Sequence, residues 1–266
     1  MKRALLLLAV VACERPRAYV LCHNANCTGS DPSRDDTMPA LRESLALRWN
    51  RQPLIDGIEL DTFWDMAGER CTFAHDAGSA AVAVLATEAA NEVAAHLRET
   101  ASLVGERPFF IKHEMKPTAP SRFDAHTDCA LDMFDIIAGA AVETDRRVTV
   151  FFESEDPRLV AHLVGRPRYP GSRAGERLQT GLVVPFNASP PRDLAIDAVT
   201  IEAALVTPER QAALRELRVR DIDLIVWMYD ADVAVLDAIE DARPKFVNTN
   251  EAALLREWLG SPPDDL

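Results

Sequence analysis

Glu59 and Asp61 stand two apart in the run Gly57-Ile58-Glu59-Leu60-Asp61. Alternate side chains of a strand share a face, so both carboxylates point the same way. Same-facing carboxylates at a strand end repel unless a cation lies between them, and a hard divalent ion with oxygen ligands fills that role. Met66 to Arg70 reads as a turn and Cys71 to Ala74 as a returning strand, which brings His75 back to the two acids. An imidazole titrates near neutrality, so beside an acid cluster it is a candidate for proton transfer.

Such groups must be held by a frame. Short β-branched or aromatic runs predict strands at Ala18–Cys22, Ile55–Asp61, Pro108–Glu114, Arg147–Phe152, Gly181–Phe186, Ala198–Ala203, Leu224–Met228 and Lys245–Asn248. Helical periodicity between them predicts helices at Met38–Trp49, Ser79–Val104, Pro157–Val164, Pro208–Val219, Val233–Ile239 and Glu251–Trp258. Thr207, Pro208 and Glu209 together read as a helix start, with a capping hydroxyl, Pro in the first turn and an early acid. Strands alternating with helices over this length predict an α/β fold, a single (β/α)8 TIM-type barrel, whose chemistry sits at the C-terminal strand ends. Those ends carry His23, Glu59 with Asp61, Glu114 with Lys116, Trp227 and Asn248. The first strand runs into His23-Asn24-Ala25-Asn26 rather than a Gly-rich turn, which argues against a dinucleotide or P-loop fold.

The chain has 266 residues, 48% of them apolar, enough for one large domain. A net charge of −13 argues against nucleic acid as a partner. It permits a phosphodiester substrate, small molecule or lipid headgroup, where a bound cation inverts the local field. Met1-Lys2-Arg3 followed by the apolar run Ala4 to Ala12 has the layout of a signal segment, with Cys13 placed as a lipid-tether candidate. The expected organisation is therefore a signal or lipoprotein segment over 1–13 and a barrel over 14–266, exported to the periplasm or membrane surface of a bacterium. Cys22, Cys27, Cys71 and Cys129 are then either bridged, in one of three pairings, or buried thiols. The sequence is silent on the oligomeric state.

Taken together, these residues resemble the glycerophosphodiester phosphodiesterase family within the phospholipase-C-like phosphodiesterases. The matching pieces are Leu21-Cys22-His23, Asp36-Thr37-Met38-Pro39-Ala40-Leu41, Gly57-Ile58-Glu59-Leu60-Asp61, Ala74-His75-Asp76, Ile111-Lys112-His113-Glu114-Met115-Lys116 and Val226-Trp227-Met228-Tyr229-Asp230. The resemblance implies one divalent cation, Ca2+ or Mg2+, on Glu59, Asp61 and Glu114. It implies His23 and His75 as the acid and base pair, Lys116 near the phosphate and Trp227 in the pocket wall. The implied reaction is cleavage of a glycerophosphodiester to glycerol 3-phosphate and an alcohol. His23 followed three residues later by Asn26 also resembles the sphingomyelinase D branch, with Asn26 at the substrate. The chain departs from the family in carrying Asn24-Ala25 for Arg-Gly, Asp35-Asp36-Thr37 for Glu-Asn-Thr, and Thr249-Asn250 for Thr-Asp. A catalytically silent lipoprotein that keeps the barrel as a binding module is the competing expectation.

Among the remaining titratable residues, Glu153 ends a strand and is a further candidate for metal or substrate. His113 should face away from the rim and pack against a helix. His96 and His162 read as surface residues of helices, and Asp124, His126 and Asp128 as a solvated acidic loop. Arg166, Arg168, Arg173 and Arg177 form a basic stretch expected in a loop near the barrel mouth.

Overall fold

The computed structural model describes residues 17–171, 177–187 and 195–260. The apolar head with Cys13, and Arg173, lie outside the described residues. Eight parallel strands close into a barrel: β1 (Tyr19–Cys22), β2 (Gly57–Asp65), β3 (Phe109–Met115), β4 (Val148–Glu153), β5 (Leu178–Pro185), β6 (Ala198–Glu202), β7 (Asp223–Met228) and β8 (Phe246–Thr249). Closure comes from β1, which pairs in parallel with both β8 and β2. Helices α1 (Met38–Ala46), α2 (Ala86–Val104), α3 (Phe123–Thr144), α4 (Pro157–Val164), α5 (Gln211–Val219) and α6 (Val233–Ala242) lie between the strands in sequence, and α7 (Ala252–Leu259) follows β8. The expected (β/α)8 barrel is thus the observed architecture.

Period-two alternation sorts each strand into an outer and an inner set. Outward residues such as Val20, Ile58, Leu60, Ile111, Val150, Phe152, Val226 and Val247 join the helices in one large buried cluster. Inward residues Tyr19, Leu21, Phe110, Phe151, Val183, Ile225 and Phe246 form a separate apolar plug. Phe110 and Phe246 sit on strands that do not pair, yet their ring centroids are 4.8 Å apart, so they meet across the barrel interior. Two residues further along the same strands come Lys112, Glu153, His23, Trp227 and Asn248. The site is therefore a charged layer resting on an apolar one.

Gly57 makes this layering possible on β2. A Cβ there would lie 2.2 Å from the Phe110 carbonyl oxygen and 2.6 Å from Leu21 Cδ2. Only glycine lets β2 pass between β1 and β3 at the level of the plug.

Several expectations need correction. The predicted helix over Ser79–Val104 is broken: Ala77–Ala80 forms one turn, and α2 starts only at Ala86. Thr207-Pro208-Glu209 does not open a helix; α5 begins at Gln211, with no side-chain cap on Arg210. The acidic stretch around His126 is α3, where Asp124, Asp128, Asp132 and Asp135 alternate with buried Phe123, Thr127, Leu131 and Phe134. His126 and His96 are buried, at 0% and 5% exposure, while His162 is at the surface and pairs with Asp124 at 2.9 Å. The described part of the basic stretch joins α4 to β5 and runs along α3, from Asp124 in its first turn to Asp145 just past its end, and none of its arginines lines the cavity described below. Arg166 pairs with Asp124 and Asp128, Arg168 with Asp132 and Asp135, and Arg177 with Glu106 and Asp145.

Candidate active site

The charged layer opens into a cavity of about 350 Å3 whose walls include His23, Glu59, His75, Lys112, Glu114, Lys116, Glu153, Trp227 and Tyr229. His23 follows β1 directly. Its Nδ1 lies 2.7 Å from Asn250 Oδ1, which can only accept, so Nδ1 is the donor of this pair. Nε2 is 3.7 Å from Glu59 Oε2. The ring stacks on Trp227 with centroids 5.4 Å apart and planes 10° from parallel, and Tyr229 meets it edge-on at 4.9 Å. The imidazole is therefore fixed in position and in plane.

His75 arrives as the hairpin reading requires. A strand at Arg70–Phe73 returns antiparallel along Thr62–Asp65 after the turn at Met66–Glu69. His75 Nδ1 then lies 2.8 Å from Asp61 Oδ2 and 3.6 Å from Asp36 Oδ2. Hydrogen bonding to Asp36 and Asp61 pushes this imidazole up to about 10. Burial and the charge of Asp61 push the Asp36 carboxyl well above its ordinary range. Asp36 also accepts from the Asp61 amide at 3.2 Å.

Oxygens of Glu59, Asp61 and Glu114 lie within 4.8 Å of one another, as do ligand atoms of Asp36, Asp61 and His75. The first trio is the expected metal set, and its hard oxygen donors suit a divalent cation of the Ca2+ or Mg2+ kind. Asp61 Oδ1 is buried without a hydrogen-bond partner, an oxygen that a cation would satisfy. The residues present therefore fit such an ion.

Lys112 is the residue that sequence reasoning passed over. Its Nζ pairs with Glu59, with Glu153 at 2.7 Å and with Glu114 at 3.3 Å, and the side chain is almost wholly buried. Burial alone would lower Lys112, yet the carboxylates of Glu153, Glu59 and Glu114 hold it well above the usual lysine value. The signal was present: Lys112 is two before Glu114, so the alternation that turns Glu114 inward turns Lys112 inward as well. Lys116 pairs with Asp61 at 2.7 Å and Glu114 at 2.8 Å. Burial, then the charge of Asp61, raise Glu114 to about 7. For Asp61, burial is outweighed by Lys116 and the His75 bond, which hold it below the carboxylate range. Glu153 joins this network, accepting from Thr200 Oγ1 at 2.5 Å as well.

Asn26 stands apart from the expectation that it meets substrate. It is fully buried and gives its amide to the Asp31 carbonyl at 3.1 Å and Asp35 Oδ1 at 3.0 Å. It braces the β1–α1 loop rather than the cavity wall. His113 faces outward as expected, 2.9 Å from Thr62 Oγ1, with His126 at 3.1 Å from the same hydroxyl. Burial lowers His113 to about 3 and His126 to about 4. The four cysteines are bridged, Cys22 to Cys27 and Cys71 to Cys129.

No family model matches the chain, and no curated protein matches it in sequence. Solved structures do. A glycerophosphodiester phosphodiesterase from Parabacteroides distasonis superposes with TM-score 0.63 at 11% identity, over 92% of this chain and 98% of that one. One from Agrobacterium tumefaciens gives 0.53 at 14%, over 90% and 99%. A Ca2+-dependent phosphatidylinositol-specific phospholipase C from Streptomyces antibioticus gives 0.53 at 13%, over 92% and 96%. What the superpositions establish is the fold: the chain has the (β/α)8 barrel shared by these phosphodiesterases, matched over nearly the whole length of each.

Proposed function

We propose that the protein is a phosphoric diester hydrolase of the glycerophosphodiester phosphodiesterase kind, acting on a glycerophosphodiester or a related headgroup. The observation that carries this reading is the pair of imidazoles on one cavity, one against Glu59 and the other against Asp61. The motifs around these residues and the shared fold support it.

In this reading His23 Nε2 takes the proton of the attacking hydroxyl, from water or from a neighbouring substrate hydroxyl. The new P–O bond forms as the bond to the leaving oxygen breaks, and His75, which holds its proton against two carboxylates, delivers one to that oxygen. Trp227 keeps the His23 ring in plane, and Asn250 keeps its lone pair turned away from the Nδ1 side. Lys116 faces the charge that grows on the phosphoryl oxygens. Glu59, Asp61 and Glu114 would hold the cation, Ca2+ or Mg2+, which when bound polarises the phosphoryl group as a Lewis acid. The two disulfides support an oxidising location outside the cytoplasm.

The test follows release of glycerol 3-phosphate from glycerophosphocholine with added Ca2+ or Mg2+. His23→Ala and His75→Ala should each lower kcat by about 10²- to 10⁴-fold while the protein still binds the phosphodiester. One observation favours a silent binding module instead: Lys112 and Lys116 between them already pair with Glu59, Asp61 and Glu114. That reading stands if no phosphodiester turns over with the cation present and binding persists in all variants.

A further inference from the structure

A second cavity, about 630 Å3, meets the first at His75 and Tyr229, which line both. Its character differs. Pro32, Met38, Pro39, Phe73, Val82 and Val84 make an apolar wall, and among the described residues no Lys or Arg lines it. Asp35 and Asp36 at its back are buried, and Asp76 is spent on the Ser79 amide at 2.9 Å. A phosphate would find the carboxylates of Asp35, Asp36 and Asp76 here against His75 alone, so the phosphate belongs in the first cavity, beside Lys116. Val82 stands 88% exposed on the short connection before α2, a large apolar side chain offered to solvent at the wall of an apolar hollow. This hollow is the larger of the two and within the range that encloses a ligand arm.

We infer that this second cavity binds an uncharged hydrocarbon arm of the substrate, so that the chain acts on single-chain amphiphilic phosphodiesters in preference to fully polar ones. The inference rests on the phosphodiesterase reading and names its substrate class. The argument for the occupant is continuity. A phosphodiester has two arms, and from a phosphorus centred near His75 and Lys116 a long arm runs past His75 into the second cavity, whereas a glycerol arm is short enough to stay in the first. The arm among the carboxylates and lysines is polar; the arm among Met38, Phe73, Val82 and Val84 is apolar. Burying a hydrocarbon there removes it from water together with Val82, which gains nothing from a glycerol arm.

The experiment compares glycerophosphoglycerol with its 1-lauroyl derivative, a matched pair that differs only in the acyl chain, below the concentration at which the latter forms micelles. The acylated substrate should show at least a tenfold higher kcat/KM, through a lower KM. Ala83→Trp, which fills the cavity, and Val82→Asp, which charges its wall, should each erase that advantage while leaving kcat/KM for glycerophosphoglycerol within about twofold. Equal rates for the pair, or an equal loss on both substrates in Ala83→Trp with an unchanged melting temperature, overturn the inference. Should neither compound be cleaved, the phosphodiesterase reading fails, and calorimetric titration of the same pair decides the cavity alone. Tighter binding of the lauroyl compound, lost in Ala83→Trp, upholds it as an apolar-arm site, and equal binding sinks it.

Discussion

Replacing Lys112 by Met tests whether the charged layer stands on its own cation. Lys112 is 3% exposed and its ammonium touches Glu59, Glu114 and Glu153, which are themselves largely buried. Met keeps the stem but leaves three carboxylates without their shared partner. Removing one member of a buried ionic group costs about 3–5 kcal/mol. For a domain of this size each kcal/mol moves the melting temperature by about 2–4 °C, so a fall of about 6–20 °C is expected. The assay is differential scanning calorimetry in EDTA, repeated across a Ca2+ titration. The variant should recover much of its loss in Ca2+ and bind the ion more tightly than the parent, since a dication can now take the place of the ammonium. Adding Glu153→Gln should return part of the loss even in EDTA, because one fewer charge is left uncompensated. A Lys112→Met protein within about 1 kcal/mol of the parent in EDTA, with unchanged affinity for Ca2+, would refute the reasoning.

Three further outcomes follow from the packing. Burial, then Arg146 and Arg48, lower His96 to about 3. Its contribution to stability is therefore complete above the unfolded value of about 6.5 and shrinks as pH falls toward 3, by about 3 kcal/mol at pH 4.5; His96→Leu should flatten that acid slope, and a slope equal to the parent's in urea melts would contradict the assignment. Gly57→Ala, with a Cβ 2.2 Å from the Phe110 carbonyl oxygen, should cost about 3 kcal/mol or more in chemical denaturation, and a neutral result would mean that the β2–β3 contact is looser than described. Cys71→Ser with Cys129→Ser opens a closed loop of 58 residues and should lower stability by about 4 kcal/mol on the chain-entropy estimate, checked by the same melts.

How much of this was legible in the chain depends on the range of the interaction. The hairpin that returns His75 to Asp61, the outward face of His113 and the convergence of Glu59, Asp61 and Glu114 all follow from strand alternation and strand order, and both can be read locally. Asp36 cannot be read that way. It reaches Asp61 from the β1–α1 loop with φ 51°, and no periodicity marks a loop residue. Helix α3 was hidden because Pro117, Pro120 and Ser121 read as a loop and Asp124, His126 and Asp128 follow them at once; the spacing of its four aspartates is that of one helical face, and the partners that neutralise them, Arg166 and Arg168, lie more than thirty residues on. For the same reason the basic stretch looked free. Its charges are matched only in three dimensions, by acids spread along the whole length of α3 from Asp124 to Asp145.

The end of β1 shows how far the fold is bent to serve this cavity. Asn24 and Ala25 both take left-handed backbone, at φ 49° and 54°, where a side chain is tolerated at a cost of about 1–3 kcal/mol for a residue such as Ala. Such strain persists only where the surroundings over-determine it. Here they do: the Asn24 amide points at Glu59 Oε2 at 3.2 Å, its side chain reaches Asp35 at 3.0 Å, and the Ala25 carbonyl accepts from Ser44 Oγ at 3.0 Å. The turn directs a backbone donor at the Glu59 carboxylate and holds His23 between Asn250 and Trp227. Where the resembling family places Arg-Gly, this chain has a backbone amide and a buried Asn amide instead. Positive charge in the cavity comes from Lys112 and Lys116, on β3 and just beyond it, so the ammonium groups stand on the floor and the β3 side of the barrel and not at the end of β1.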